Sequence, residues 1–186
     1  MKTILVTAFE PFGERAVNAS AEVLARLPER IGGCPVTRLL LPVVFGKAAR
    51  KALSCPADAI FLLGEAGGRE TVTPEEKAVN FRDARIPDNE GQQPRGEPVC
   101  PDGPAEYRTA VPVSKIVSRM RAEGEAVAVS SDAGAYVCND TYYLTGVGSR
   151  VPVVFIHVPA VPEKAAAYAG TVRRFIELAV GAFETD

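Results

Sequence analysis

The stretch from Val151 to Val158 has the sequence Val-Pro-Val-Val-Phe-Ile-His-Val, in which every residue before His157 is apolar. Strands that are apolar on both faces are typical of parallel sheets that helices cover on both sides. Two further runs, Ile4 to Thr7 and Asp58 to Gly64, have a similar character. Because these runs alternate with helical segments, we predict an α/β fold, a three-layer α/β/α sandwich around a mostly parallel, twisted sheet.

The remaining elements follow from hydrophobic periodicity and from helix-capping residues. Further strands are expected at 36–41 and 126–130, and helices at 21–27, 45–54, 113–122 and 164–183. Ser20 is expected to cap the first helix. Between Asp83 and Pro112, prolines and glycines interrupt the pattern. This segment is expected to form a loop or hairpin excursion, which is either functional or a tolerated surface insertion.

Length and composition limit the class of protein. The chain has 186 residues, which favours one domain over residues 1–186, and it is 47% apolar and 24% charged. Its 21 cationic and 23 acidic residues give a net charge of −2, which argues against a sequence-independent nucleic-acid binder. No apolar run is long enough for a bilayer, and the first ten residues lack a signal-peptide pattern. We therefore expect a cytoplasmic protein without nucleic-acid or membrane partners.

Thiols and one imidazole are the reactive groups that stand out. The cysteines are Cys34, Cys55, Cys100 and Cys138, with no C-x-x-C pair, and His157 is the single histidine. This spacing argues against a metal site and, in a reducing compartment, against structural disulfides. The glycine patterns of phosphate-binding loops and the G-x-S-x-G motif of serine hydrolases are absent from the sequence.

Cys138 and His157 are predicted to meet at one edge of the sheet, because sites in open parallel sheets form beyond the carboxyl ends of the strands. Cys138 would begin a short helix ending near Leu144, and His157 would lie at a strand tip. A helix N-terminus lowers the pKa of a thiol, and a neighbouring imidazole takes its proton. From the residues alone, a structural histidine and an inert, buried cysteine remain equally open.

Four motifs, in the same order along residues 3 to 160, resemble those of the pyroglutamyl peptidase I family, also called pyrrolidone carboxyl peptidases. They are Thr7-Ala8-Phe9-Glu10-Pro11-Phe12-Gly13 with Asn18 and Ser20; Gly64-x-x-Gly67-Gly68-Arg69 with Glu75, Ala78, Asn80 and the run Asp83 to Asn89; Ser131 to Asn139; and Phe155 to Pro159. The resemblance implies a cysteine-type omega peptidase that removes an amino-terminal pyroglutamyl residue from peptides. It also implies that no cofactor or metal is needed, and that the chain forms a homo-oligomer, since the family is often homotetrameric.

The resemblance also assigns roles to individual residues. Cys138 would be the nucleophile, His157 the base, and Glu75 the acid that orients the imidazole. Arg85 would lie near the site and stabilise negative charge. The substrate-binding residues would be Phe9, Phe12, Asn18, Glu65, Tyr136 and Val137. Phe9 and Phe12 as ordinary core aromatics, and Asn18 as a brace for the first loop, remain alternatives.

Three departures from the family pattern bear on the site. Glu65 stands where many bacterial members carry glutamine, and an ionised carboxylate beside a neutral lactam needs a partner to offset its desolvation. Tyr136 stands where phenylalanine is common, which adds a hydroxyl to the pocket. The segment 139–150 is short for the family and is expected to hold a brief helix, a glycine turn and the start of a strand.

Two other functions compete with the peptidase. A non-catalytic module on the same scaffold would bind a small lactam or a blocked peptide without cleaving it. A nucleoside-processing enzyme of similar sheet architecture rests on fold analogy alone and lacks a phosphate loop.

Overall fold

The structure, a computed structural model, describes residues 2–183. In chain order the elements are β1 (Ile4–Phe9), α1 (Ala19–Arg26), β2 (Arg30–Ile31), β3 (Cys34–Leu41), α2 (Lys47–Leu53), β4 (Ala59–Ala66), β5 (Thr73–Glu75), β6 (Lys77–Val79), β7 (Glu106–Arg108), α3 (Val113–Ala122), α4 (Val137–Gly148), β8 (Val153–Pro159), a 3-10 turn (Pro162–Lys164) and α5 (Ala165–Phe183). Strands and helices alternate over most of the chain, as the sequence predicts.

Six strands form one sheet in the order β2-β3-β1-β4-β8-β5. The four strands β3, β1, β4 and β8 are parallel, and the edge strands β2 and β5 are antiparallel to their neighbours. A separate two-stranded sheet joins β6 to β7. The predicted α/β class and mostly parallel sheet are therefore confirmed.

Helices cover both faces of the sheet. Successive residues of a strand point to opposite sides, so neighbouring residues belong to different cores. Ile156 on β8 packs into a core with α1, α3 and α5, whereas its neighbour Phe155 packs into a second core with α2 and α4. Leu5 and Val6 on β1 divide between the two cores in the same way. This gives the three layers predicted from the strands that are apolar on both faces.

The predicted strand at 126–130 is wrong as a continuous element. Val127 and Ser130 form only isolated parallel bridges with the segment that contains β5. Ala128 donates to Val72 O and Ser130 donates to Pro74 O. In a parallel ladder the next donor would be the N–H of residue 74, and proline has none. Pro74 therefore interrupts the pairing that the apolar sequence favours.

The start of α1 differs from the prediction as well. Asn18, rather than Ser20, is the N-cap, and its side chain accepts a hydrogen bond from the Ser20 N–H. The Ser20 hydroxyl donates to Asn18 and accepts from the backbone N–H of Phe9. Both residues are thus used to join the end of β1 to the start of α1, an arrangement that requires the tertiary fold.

The glycine turn predicted after Cys138 is also wrong, because α4 continues through Gly146 and ends at Gly148. A methyl group on Gly146 would overlap the ring of Tyr107, which comes from β7. The glycine is therefore required for the close approach of the β6–β7 hairpin to α4. That hairpin is the ordered base of the Pro/Gly-rich excursion. Among residues 2–183, no helix is long and apolar enough to cross a membrane.

Gly146→Ala is expected to destabilise the protein even though alanine favours helix. The gain in helix propensity is about 1 kcal/mol, and the overlap with Tyr107 costs about 1–3 kcal/mol. Gly170→Ala in α5 is the matched control, because nothing lies within 4 Å of its added methyl group. Urea unfolding should show a lower midpoint for the first variant and an unchanged or higher midpoint for the second. A higher midpoint for Gly146→Ala would contradict the packing described.

Candidate active site

Gly64, His157 and Thr73 lie side by side on the neighbouring strands β4, β8 and β5. β8 lies between β4 and β5, and His157 is the register partner of Gly64 on one side and of Thr73 on the other. The row lies at the carboxyl ends of the parallel strands, where the sequence places the site. The side chains of neighbours in such a row point to the same face of the sheet.

A buried acid holds the imidazole. Glu75 Oε1 lies 2.8 Å from His157 Nδ1, and the two side chains are 0% and 5% exposed. Glu75 is the register partner of Phe155, so the contact is diagonal across the β5–β8 pair. With Nδ1 engaged by the acid, Nε2 is the ring nitrogen left for a second partner.

The sulfur of Cys138 lies over Gly64. A Cβ atom built on Gly64 would come within 2.9 Å of the Cys138 Sγ and within 2.6 Å of a ring carbon of Phe155. Only glycine leaves this space open. Since Gly64 and His157 are neighbours on adjacent strands, about 4.8 Å apart, the sulfur lies next to the histidine.

Helix α4 supports Glu75 as well as Cys138. Tyr142 follows Cys138 by one helical turn, and its hydroxyl donates to the backbone oxygen of Glu75 at 3.0 Å. Its ring packs against Phe155 at a centroid separation of 5.8 Å. One helix face therefore fixes the sulfur and the end of β5 together.

Burial raises the pKa of the Cys138 thiol to about 12, and the carboxylates of Glu75 and Glu65 add to the rise. The sequence predicted a lowered pKa from the helix N-terminus. The pKa is instead raised, because loss of water around the sulfur disfavours the thiolate. Part of the Cys138 residue remains exposed, but protein atoms surround the sulfur closely. The thiol therefore needs an adjacent base to ionise near neutral pH.

The first turn of α4 offers hydrogen-bond donors beside the sulfur. The N-cap residue Tyr136 makes no capping hydrogen bond with its side chain. Its hydroxyl donates to Pro87 O at 3.0 Å instead, which ties the Pro/Gly-rich excursion to the site. The N–H groups of the first turn, including that of Cys138, remain directed out of the helix end. An oxyanion formed next to Sγ would meet them there.

A small cavity of about 50 Å³ opens beside the sulfur. The structure brings all six predicted substrate-binding residues into its wall, together with Cys138 and one residue that the sequence did not indicate, Val43: Phe9, Phe12, Asn18, Val43, Glu65, Tyr136, Val137 and Cys138. Val43 lies just after the end of β3, at the carboxyl edge of the sheet. That position is the only feature of the sequence that could have indicated a place in the cavity wall. The wall is mostly aromatic and aliphatic.

Glu65 has the partner that its burial requires. Its side chain is 3% exposed, and Oε1 accepts from Arg15 at 2.8 Å. Oε2 accepts from the backbone N–H of Ala19 at 2.7 Å. Arg15 belongs to the loop between β1 and α1 that also carries Phe12. The ion pair thus offsets the desolvation of the carboxylate and fastens this loop over the cavity.

Two arginines differ from what the sequence indicated. Arg85 does not line the cavity. It is exposed in the excursion, before the turn at 89–90, and its side chain makes no ion pair within residues 2–183. Arg69 appears in the quoted motif without a role, yet it donates to Glu75 Oε1 at 3.0 Å. The same residues 2–183 contain no group of three or more side chains suited to holding a metal ion.

Comparisons with known proteins agree with the fold. A sequence model of the pyroglutamyl peptidase family matches residues 2–182. A pyrrolidone-carboxylate peptidase of Gloeobacter violaceus is 46% identical over 90% of this chain and 86% of its own length. One from Escherichia fergusonii is 43% identical over 97% and 92%. The crystal structure of pyroglutamyl peptidase I from Bacillus amyloliquefaciens has a TM-score of 0.89 and 35% identity, covering 97% of this chain and 98% of that one. These matches confirm the resemblance seen in the motifs, and the chain belongs to the pyroglutamyl peptidase family.

Proposed function

We propose that this protein is a cysteine peptidase that hydrolyses the amide bond after an amino-terminal pyroglutamyl residue, with Cys138 as nucleophile, His157 as base and Glu75 as the orienting acid. The observation that carries the proposal is the position of the Cys138 sulfur over Gly64, beside a histidine that a buried carboxylate holds.

The cavity has the chemistry of a pyroglutamyl pocket. The lactam ring is flat and uncharged, with one N–H donor and one carbonyl acceptor. Phe9, Phe12 and Tyr136 provide the apolar cover. The carboxylate of Glu65 accepts the ring N–H, since each of its oxygens keeps a free lone pair. Asn18 uses one amide hydrogen on Glu10 O and retains a second for the ring carbonyl.

Acylation begins with transfer of the thiol proton to His157 Nε2. The sulfur attacks the carbonyl carbon between pyroglutamate and the next residue, and the negative charge on oxygen is held by the Cys138 N–H. Glu75 stabilises the imidazolium through Nδ1. Collapse breaks the C–N bond, Nε2 returns its proton to the departing amine, and a thioester remains on Sγ.

Deacylation uses the same imidazole. His157 removes a proton from water, the hydroxide attacks the thioester, the C–S bond breaks, and the imidazolium returns the proton to the sulfur. The products are pyroglutamic acid and the free thiol. The role predicted for Arg85 in stabilising charge remains a prediction, because its side chain lies outside the cavity wall.

We also propose a cellular location and an oligomeric state for this protein. Residues 1–186 would act as one peptidase domain in the cytoplasm, which the four free cysteines support. A homo-oligomer, as implied by the family resemblance, is supported by large apolar side chains left exposed, Phe81 and Ile86 among them.

Cys138→Ser is expected to lower hydrolysis of a pyroglutamyl reporter amide by about 1,000-fold or more, because the hydroxyl is a far weaker nucleophile at this position. Cys55→Ser is the matched control, since Cys55 is also partly exposed and lies outside the cavity. Release of the reporter dye measures both variants. Tight binding of a pyroglutamyl peptide by a wild-type protein that does not cleave it would identify the binding module instead.

His157→Gln is expected to slow alkylation of Cys138 by iodoacetamide at pH 7 by about 100-fold. Without the base, the thiol ionises only as the pH approaches its raised pKa of about 12. In the wild type, Cys138 should be labelled ahead of Cys34, Cys55 and Cys100. Mass spectrometry of peptides at several pH values measures the rates. Equal, slow labelling of all four wild-type cysteines, or neutral-pH labelling unaffected by the substitution, would contradict the assigned base.

A further inference from the structure

We infer that Arg69 is a positioning residue for the reaction, and that it holds the acid and the nucleophile's loop in one arrangement. The inference rests on the proposed function and adds a residue to it. Arg69 lies in the loop between β4 and β5, on the side of β8 opposite Cys138, and it does not line the cavity.

One guanidinium group joins three parts of the site. Its Nη2 donates to Glu75 Oε1 at 3.0 Å and to Asp132 O at 2.8 Å, and its Nη1 donates to Thr73 Oγ1 at 2.9 Å. Thr73 is the register partner of His157. Asp132 lies in the loop that runs into α4 and Cys138. Arg69 therefore links Glu75, the strand next to His157 and the loop that leads to Cys138.

Arg69 compensates the buried charge of Glu75 and fixes the orientation of its carboxylate. Its Oε1 receives Arg69 and His157, while Oε2 is buried without a hydrogen-bond partner among the described residues. When His157 is neutral, Arg69 is the cation within hydrogen-bond distance of this fully buried carboxylate. Without it, a buried charge would lose its compensation and the carboxylate could rotate away from Nδ1.

The geometry requires an arginine rather than any cation. A planar guanidinium can donate to three fixed acceptors at once, whereas a lysine ammonium at the end of a flexible stem does not reproduce that fork. Arg69 touches neither the cavity nor the sulfur, so it is expected to affect the chemical step rather than substrate binding.

Arg69→Ala is expected to lower kcat for the pyroglutamyl reporter by about 100-fold, since small displacements of catalytic groups have effects of that order, with KM changed by less than about threefold. Guanidinium chloride at millimolar, non-denaturing concentration should restore kcat by about fivefold or more, because the ion can occupy the vacated site. A residue that only stabilises the fold would show no such rescue.

Arg174→Ala is the control, because Arg174 is 29% exposed against 24% for Arg69 and pairs with Glu123 on the surface. Its kcat should equal that of the wild type and should not change when guanidinium chloride is added. Should Arg69→Ala fail to fold, Arg69→Lys replaces it, and a loss of about tenfold in kcat at constant KM is expected.

Wild-type kcat in either Arg69 variant, a loss carried by KM, or a loss in folded Arg69→Ala that guanidinium does not reverse would overturn the inference. Absence of hydrolysis by the wild type would instead refute the proposed function. The two failures are therefore distinguishable in one set of assays.

Discussion

The pairing of β8 with a parallel strand on one side and an antiparallel strand on the other is the constraint on which the site depends. It places His157 between Gly64 and Thr73. On the Gly64 side, the absence of a side chain leaves room for the sulfur of Cys138. On the other side, β5 runs antiparallel to β8. Glu75 therefore lies beside Phe155, from where its carboxylate reaches the imidazole. A shift of either strand by one residue would turn its side chains to the opposite face and separate the three groups.

Three buried carboxylate side chains around the site are each paired with an arginine that reaches solvent, whereas buried Asp88 accepts backbone N–H groups instead. The pairs are Glu75 with Arg69, Glu65 with Arg15, and Asp140 with Arg82. Such pairs add little net stability, because desolvation offsets the attraction, but removal of one partner is costly. The pairs of Arg15 and Arg82 join segments 50 and 58 residues apart, and Arg69 also donates to Asp132 O, 63 residues away. Their effect is therefore to fix the relative positions of loops around the cavity, which a mostly apolar wall alone would specify less sharply.

The fold and half of the site could be predicted from local signals. Strands that are apolar on both faces predict a covered parallel sheet, and the carboxyl ends of such strands gather Cys138 and His157 at one edge. Glu75 came from the family resemblance alone, because the register of a three-residue strand decides which of many carboxylates meets the imidazole. The contacts of Arg69 depend on its own loop, on β5 and on the loop before α4, so they leave no local pattern. The strand at 126–130 is predicted from hydrophobicity but does not form as a continuous element. It is interrupted because Pro74, on the neighbouring segment, lacks the N–H that the pairing needs.

The most direct test of the account is the rate constant for alkylation of Cys138 in Gly64→Ala. The added methyl group would occupy the space of the sulfur beside His157, so a fall of about tenfold or more is predicted in a protein that still folds. Gly67→Ala, three residues further along, has open space at the corresponding atom and should retain the wild-type rate. Alkylation of Gly64→Ala at the wild-type rate would contradict the claim that this row of residues places the Cys138 sulfur next to His157.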